Sequence, residues 1–350
     1  MIESLLEKIN TKKKDKYNIL TFSTHEGYQT LLDKTGHNFL LFEENGLKEW
    51  NTEFRPVPKN HTIAKDVKYY DMEDIDFILS QERFGQLQKS INISTQYRIP
   101  IVHLEHIEPQ DRWPEEQFEQ MKKLKPDFNI FITEHNAKSW GCENAKVIPH
   151  GIDTETFKGW EPSESLDVVY IVNRLKERDY FCGYEFWLEV KKKCEEIIPD
   201  INFKLIGDNP GMSSPISSTE ELVKELRSCC CYVNTSQLSP IPMSLLEAMS
   251  CGCPVVSTAK QEIPKVINNK NGYITNDTTE FAEKVCEIVK NKQIAKDYGK
   301  NARDTIIEKM SVDQAAGAFV MIAGAIGSLL LVIWQSKCHC KVNLCYIFQC

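Results

Sequence analysis

The sequence lacks the marks of several protein classes. It contains no CxxC pair, and its 42 Lys and Arg are outnumbered by 50 Asp and Glu. A net charge of -8 argues against a broad basic face, so we expect no nucleic-acid partner. Of the 13 cysteines, nine are scattered before Asp313 through a long charged sequence, which is unlike a small disulfide scaffold. We therefore expect reduced thiols in a cytosol.

The two ends of the chain differ in apolar content. The first residues, MIESLLEKINTKKKDK, lack the continuous apolar core of a signal peptide, so secretion is not expected. The twenty residues from Ala315 to Trp334 carry no charge, and a run of this length suffices to cross a bilayer as a helix. The sequence predicts a transmembrane helix over 315–334 and a Cys-rich tail over 335–350. A buried core helix and a fused or frame-altered end are the alternatives.

Short runs rich in Val, Ile and Phe recur along the chain, separated by polar stretches with helical spacing. This alternation predicts strands and helices in turn and hence parallel sheets. In the first half the predicted strands begin at Tyr17, His37, Asp76, Ile99 and Phe128. In the second half they begin at Asp167, Asn202, Cys229 and Cys253, with helices over 183–198, 219–227 and 242–250. The expected fold class is α/β, with two doubly wound halves.

A stretch with Gly, Pro and Ser but little apolar periodicity, HGIDTETFKGWEPSES, lies between the halves. It predicts a linker over 151–166, after a first domain over 1–150 and before a second domain over 167–313. His150 is expected to be a linker residue that orients the domains. Because ligands of open α/β sheets collect outside the carboxyl ends of the strands, we expect function in the polar residues that follow the strands.

The most informative stretch is SQLSPIPMSLLEAMSCGCPVVST, from Ser236 to Thr258. Its prolines favour a helix start, Leu245, Leu246 and Met249 form an apolar stripe, and CGCP ends the helix. Glu247 is then a carboxylate within an otherwise apolar helix that opens at the crevice. A lone Glu of this kind is more often a solvated residue on the outer face.

This stretch resembles the retaining glycosyltransferases of the GT-B fold, family 4, also called glycosyl transferases group 1. The motifs IPHGIDTETF at 148–157 and NRLKERD at 173–179 share the resemblance, which covers most of 17–313. It implies two Rossmann-like domains whose parallel sheets face each other across a cleft. It also implies metal-independent transfer of a hexose, with retention, from a UDP- or GDP-sugar to a hydroxyl acceptor on a glycan, lipid or protein. The donor is a co-substrate, and no cofactor is expected.

The resemblance implies a set of donor-binding residues. In the family, the Glu of the LLEAMA-like helix accepts hydrogen bonds from the ribose hydroxyls, and Glu247 matches it, with Leu246 beside it. Gly207 and Asp208 match the loop that borders the nucleotide base. The family usually has a second Glu eight positions before the first, where this chain has Ser239. A hydroxyl can bond a sugar, but it carries no charge to support an oxocarbenium-like transition state.

Basic residues follow the first strand of the second half. Arg174 matches an Arg of the family that holds the diphosphate leaving group together with a Lys. Asp179 stands where that Lys is expected, and Lys176 and Arg178 lie nearby. Cations at this place would neutralise the charge that grows on the diphosphate, as a metal ion does in other sugar transferases. A surface basic cluster is the alternative.

His106 ends the strand that begins after Pro100, where the family often carries a His near the transferred sugar. His106 and Arg174 are therefore the catalytic candidates. His103-x-x-His106 also offers two metal ligands, but no spaced Cys or His pair completes a zinc site, and we expect no metal. A structural role for His106 stays open. Glu26 and Gly27, in the first strand-to-helix turn, are the acceptor-side candidates.

Two other functions fit the same architecture: a GT-B-shaped nucleotide-sugar binding protein without turnover, and a nucleotide-sugar epimerase. The first is suggested by Ser239 and by the C-terminus. In the family the last helix crosses back onto the first domain, and the sequence predicts that this pattern is lost after Asp313. The transferase domain is expected in the cytoplasm, associated with a membrane through 315–334.

Overall fold

The computed structural model has two α/β domains, each built on a parallel sheet. It describes residues 15–24, 26–43, 49–65, 71–142 and 145–320. All nine strands predicted from apolar runs are present, together with the three predicted helices of the second half. The expectation of an α/β fold with two parallel sheets is therefore confirmed.

The first sheet has seven strands in the order β3-β2-β1-β4-β5-β6-β7, and all its pairs are parallel. Its strands are β1 (Asn18–Phe22), β2 (Asn38–Phe42), β3 (His61–Ala64), β4 (Phe77–Ser80), β5 (Ile101–Glu105), β6 (Phe128–Phe131) and β7 (Lys146–Val147). Its helices are α1 (Glu26–Leu31), α2 (Gln86–Tyr97), α3 (Glu115–Lys123) and α4 (Glu134–Ser139), with 3₁₀ turns at Leu32–Thr35 and Met72–Asp74. Every residue of β4 and β5 is buried, as expected for parallel strands covered on both faces.

The second sheet has five strands in the order β12-β11-β10-β8-β9, again all parallel. Its strands are β8 (Asp167–Ile171), β9 (Asn202–Ile206), β10 (Cys231–Asn234), β11 (Val255–Ser257) and β12 (Tyr273–Ile274). Its helices are α5 (Asp179–Cys182), α6 (Tyr184–Ile197), α7 (Thr219–Ser228), α8 (Met243–Cys251), α9 (Ile263–Val266), α10 (Thr278–Lys290) and α11 (Lys292–Lys309). In both sheets the strand order reverses beside the first strand, which creates a crevice at the carboxyl edge.

The chain crosses between the domains at two adjacent places. The amide of Ile152 donates to the carbonyl of Met310 at 2.8 Å, and the amide of Val312 donates to the carbonyl of Ile152 at 2.9 Å. A Cβ at Gly151 would lie 2.7 Å from Cβ of Ala315, so only glycine allows this close approach. The two crossings therefore form one hydrogen-bonded pair of segments.

After the second crossing the chain returns to the first domain. Residues 312–320 are helical, and Phe319 is buried in the first domain's core with Tyr17 and Tyr28. The prediction that the family pattern is lost after Asp313 was wrong, because small and apolar residues that suit a lipid contact suit this packing equally well.

The expected membrane helix gains no support from the described part of the chain, in which no helix is long and apolar enough to cross a bilayer. Residues 321–334 of that predicted helix and the tail over 335–350 lie outside the described residues.

Candidate active site

Glu247 lies on α8, a helix that is buried all round from Leu245 to Cys251. Its side chain is only 8% exposed, and its Oε1 lies 3.5 Å from Nη2 of Arg55 in the first domain. Glu247 is thus not a solvated residue on an outer face. Burial raises its pKa, and the Arg55 guanidinium opposes that shift only in part. The charged form of Glu247 is therefore disfavoured in the free protein, and added hydrogen-bond donors would stabilise it.

Arg55 reaches Glu247 from an irregular segment before β3. Its carbonyl accepts a hydrogen bond from the Trp50 indole at 2.7 Å, and its guanidinium lies 5.4 Å from the centre of the Phe54 ring. A Cβ at Gly27 would stand 3.5 Å from Nη2 of Arg55, so this predicted acceptor-side residue borders the same ion pair. The hydroxyl of Thr219, on α7, donates to the carbonyl of Phe54 at 3.4 Å. The segment thus contacts the second domain twice.

Glu26 anchors the segment that carries Arg55. Its side chain is buried, and its Oε1 accepts from the amide of Asn51 at 3.2 Å. Glu43, at the end of β2, accepts from the amide of Trp50 at 2.7 Å and from the hydroxyl of Ser23 at 3.1 Å. The predicted acceptor-side turn and the Arg55 segment are therefore one hydrogen-bonded unit.

Arg174 follows β8 and is paired with Asp208, which follows β9. Its Nε donates to Oδ2 of Asp208 at 2.9 Å, and its amide donates to the Asp208 carbonyl at 2.8 Å. The Arg174 side chain is half exposed, so its outer nitrogens can be reached from solvent. The structure thus brings together two residues predicted for the donor side.

Gly207 sits where its loop meets the loop after β8. Its φ is 128°, and a Cβ there would lie 2.2 Å from the carbonyl oxygen of Val172, so no other residue fits. Asn209, which is fully buried, donates to the same carbonyl at 2.8 Å and accepts from the amide of Leu175 at 2.8 Å. The sequence analysis named Gly207 and Asp208 for this loop but missed Asn209, the residue that joins the two loops.

The other predicted donor residues are less closely grouped. Lys176 and Arg178 are exposed, and Arg178 lies over the ring of Phe181, with 4.9 Å to the ring centre. Ser239 is half-buried in the segment between β10 and α8. The side chain of Leu246 is fully buried in the core of the second domain. A donor could therefore meet Leu246 only through its main chain.

His106 lies after β5 in a cluster of rings. It meets Tyr28 edge-on with 4.8 Å between ring centres, and it stacks on His150 at 5.9 Å. His150 therefore supports His106 directly. Nε2 of His106 lies 3.4 Å from Oε1 of Gln81, which follows β4. The imidazole is half-buried and held on several sides.

His103, the other residue of the possible metal pair, is fully buried. Its Nε2 lies 3.2 Å from Oε2 of Glu105 and its Nδ1 lies 3.2 Å from the hydroxyl of Ser80. Glu105 also accepts from Nε of Arg83 at 2.6 Å. Burial would raise the pKa of Glu105, but His103 and Arg83 hold it below its ordinary value. The described residues contain no group of three or more ligands that could hold a metal ion.

Glu108 lies two residues beyond His106 and is 6% exposed. Its Oε2 lies 3.5 Å from Nε2 of His135, whereas Oε1 has no hydrogen-bond partner within the described ranges. Burial raises the pKa of Glu108 to about 7, and the charge of Glu262, from the second domain, adds to the shift. This carboxyl group therefore titrates near neutral pH.

A cavity of about 430 Å³ opens beside Arg178 and Ser239 on the second domain. It is lined by Asp179, Tyr180, Gly183, Phe186, Gln237, Leu238 and Lys260. A second cavity, of about 310 Å³, includes Asn18 and Asn38 at the opposite, amino edge of the first sheet. Only the first cavity adjoins the predicted donor residues.

The sequence is similar to those of known glycosyltransferases. Residues 192–305 match the family described as glycosyl transferases group 1. The chain is 26% identical over 190 residues to a poly(ribitol-phosphate) α-N-acetylglucosaminyltransferase of Staphylococcus aureus, covering 52% of this chain and 36% of that protein. It is 22% identical over 237 residues to N-acetyl-α-D-glucosaminyl L-malate synthase of Bacillus anthracis, covering 54% and 62%. The chain thus spans less than two thirds of these relatives.

The fold has solved counterparts. The structure of Anabaena Alr3699/HepE in complex with UDP and glucose superposes with a TM-score of 0.70 at 14% identity, covering 88% of this chain and all of that one. An identity this low establishes the fold alone. Together, these comparisons support a GT-B-like fold for the chain and the glycosyl transferases group 1 family for its second domain.

Proposed function

We propose that the chain is a retaining glycosyltransferase that moves a hexose from a nucleotide sugar to a hydroxyl acceptor. The observation that carries the proposal is the buried Glu247 at the carboxyl edge of the second sheet, whose burial raises its pKa. Two vicinal ribose hydroxyls would donate hydrogen bonds to this carboxylate and stabilise its charged form. The Anabaena protein was solved in complex with UDP, which supports a uridine donor, with a GDP-sugar as the alternative.

In the proposed reaction the bond between C1 of the sugar and the diphosphate oxygen breaks. The acceptor oxygen bonds to C1 on the face from which the diphosphate departs, and its proton passes to the departing diphosphate. Arg174, with Lys176 and Arg178 nearby, would meet the negative charge that grows on the departing diphosphate. The half-exposed Arg174 can exchange part of its contact with Asp208 for a phosphate oxygen. These cations would do the work of a metal ion, so the reaction is proposed to need none.

His106, Gly27 and Glu26 are proposed to face the sugar and the acceptor. They lie at the carboxyl edge of the first sheet, and Gly27 borders the Arg55–Glu247 pair that joins the two domains. Ser239, in place of the usual Glu, is proposed to bond the transferred sugar through its hydroxyl, which alters sugar preference rather than abolishing transfer. A hydroxyl of a glycan or polyol polymer is the proposed acceptor, since the name of the Staphylococcus relative gives poly(ribitol-phosphate) as its acceptor.

A donor screen tests the proposal. The purified chain is titrated with UDP- and GDP-hexoses by calorimetry, and release of the nucleoside diphosphate is followed with a panel of sugar acceptors in buffer containing EDTA. We expect one donor to bind and turn over, with Glu247→Gln weakening binding and the exposed Glu283→Gln on α10 behaving as wild type. Binding without turnover on any acceptor would identify a binding protein, and donor conversion without acceptor would identify an epimerase. Loss of turnover in EDTA would contradict metal independence.

A further inference from the structure

A chain of hydrogen-bonded polar side chains leads from Asn60, at the amino edge of the first sheet, to His106. At its start, Nδ2 of the half-buried Asn60 donates to the carbonyl of His37 at 2.7 Å and towards that of Asp33 at 3.3 Å. A carbonyl can only accept, so the amide nitrogen of Asn60 faces these two groups and its oxygen faces the other way. That oxygen lies 2.7 Å from Nδ1 of His61. Nδ1 of His61 must therefore carry a hydrogen.

His61 in turn fixes the orientation of the Gln29 amide, because its imidazole is neutral. Burial lowers its pKa to about 4, and its ring is stacked on Phe39 with 4.6 Å between centres. A neutral imidazole with its hydrogen on Nδ1 presents a lone pair at Nε2. Nε2 of His61 lies 3.0 Å from Nε2 of Gln29, so the Gln29 amide nitrogen donates to it.

The next two side chains are fixed in turn. With its nitrogen committed to His61, Gln29 presents its oxygen to Nε2 of Gln81, 2.5 Å away. The other hydrogen of the Gln81 amide points to the hydroxyl of Thr21 at 3.3 Å. Because this hydroxyl uses its own hydrogen to donate to the carbonyl of Leu79 at 2.9 Å, its oxygen accepts from Gln81. Gln29 and Gln81 are almost fully buried, so water does not compete. The Gln81 oxygen therefore faces His106.

The last step sets the state of His106. The Gln81 oxygen lies 3.4 Å from Nε2 of His106 and can only accept, so this nitrogen carries a hydrogen. We propose that Asn60, His61, Gln29 and Gln81 form a relay that places the hydrogen of the neutral His106 imidazole on Nε2. Nδ1 is then the nitrogen that accepts a hydrogen bond, as a sugar hydroxyl requires. The relay residues are positioning residues, and the consequence for sugar binding rests on the proposed function.

Nuclear magnetic resonance of ¹⁵N-histidine-labelled protein at pH 8 reads the tautomer without any donor. His106→Gln and His61→Asn variants assign the two rings. We expect opposite tautomers, with the unprotonated nitrogen at Nδ1 in His106 and at Nε2 in His61. An unprotonated Nε2 in His106 would overturn the proposal, whether or not the chain transfers sugar.

Gln29→Met tests the relay two residues away from His106, and Gln88→Met on the exposed face of α2 is its control. With the relay cut, the Gln81 amide can rotate, and we expect His106 to populate both tautomers in a folded variant, as checked by circular dichroism. Unchanged His106 nitrogens in folded Gln29→Met would overturn the relay. If donor turnover is found, kcat/KM should fall about fivefold in Gln29→Met, as for one lost hydrogen bond. If the His106 tautomer changes in Gln29→Met but kcat/KM does not, the proposed role of the relay in sugar binding would be overturned.

Discussion

Removing the charge of Glu247 should weaken donor binding without lowering the stability of the free protein. In Glu247→Gln the shape is kept, but Arg55, which is 7% exposed, loses its carboxylate. At 3.5 Å, two charges attract by about 5 kcal/mol at an effective dielectric constant of 20. The cost of burying the carboxylate outweighs this attraction, as the raised pKa of Glu247 indicates. We therefore expect the free energy of unfolding at neutral pH to stay the same or to rise by up to about 1 kcal/mol.

The same change removes a charged acceptor for two ribose hydroxyls. Hydrogen bonds to a charged group contribute about 1.5–3 kcal/mol, so we expect the donor Kd to rise by roughly 10- to 100-fold. Calorimetric titration with the donor and urea unfolding measure the two effects separately.

A double-mutant cycle with Arg55→Met isolates the ion pair. We expect a coupling energy of about 1–2 kcal/mol in unfolding, because each single variant leaves a buried charge without its partner. Unchanged donor affinity in Glu247→Gln, with Glu283→Gln as the control, would refute the assignment of Glu247 to the ribose. Zero coupling would refute the reasoning about the buried pair.

The remaining predictions concern three other positions. Arg174→Ala should lower kcat by roughly 100-fold and donor affinity by less, because the diphosphate gains charge as the sugar leaves. Equal losses of kcat and donor affinity in steady-state kinetics would show that Arg174 only binds the ground state. The control is Lys192→Ala, at an exposed position. Gly207→Ala should lower stability by roughly 2–4 kcal/mol, because its Cβ would meet a carbonyl oxygen, whereas Gly211→Ala, with open space around it, should cost about 1 kcal/mol in urea unfolding. Since the folded-state pKa of Glu108 is raised to about 7, the stability of the wild type should fall as pH rises from about 4.5 through 7. Glu108→Gln should therefore be more stable by about 1–2 kcal/mol at pH 8 and equal at pH 4, and a constant difference across thermal melts would contradict the assigned pKa.

Strands were predictable where the apolar run was long enough to stand out. Three strands of two to four residues at the sheet edges were missed, because they show neither a long apolar run nor alternation. They are His61–Ala64, Lys146–Val147 and Tyr273–Ile274. The helix of Glu247 was predictable because its apolar residues and flanking prolines are local signals. The packing of residues 315–320 on the first domain was not predictable, because an uncharged stretch suits a lipid and a protein surface alike.

The candidate site was predictable only in its local parts. Arg174 and Gly207 follow strands, and strand ends can be read from the sequence. Arg55 could not be found, because it lies in no motif and its partner is 192 positions away. The relay from Asn60 to Gln81 was also invisible, since it joins neighbouring strands whose adjacency depends on the order of the folded sheet. Sequence patterns fix which elements form, whereas such contacts depend on which elements become neighbours.

The paired crossings at Ile152 and Val312 also bear on how the two domains can move. A single connecting segment would let one domain swivel about its own bonds, but two hydrogen-bonded segments resist twisting and leave bending as the soft direction. Gly151 keeps the two segments close enough to bend as one hinge. We therefore expect the cleft to open and shut about a single axis, so that Glu247 at the ribose and His106 at the transferred sugar return to the same relative position in every cycle.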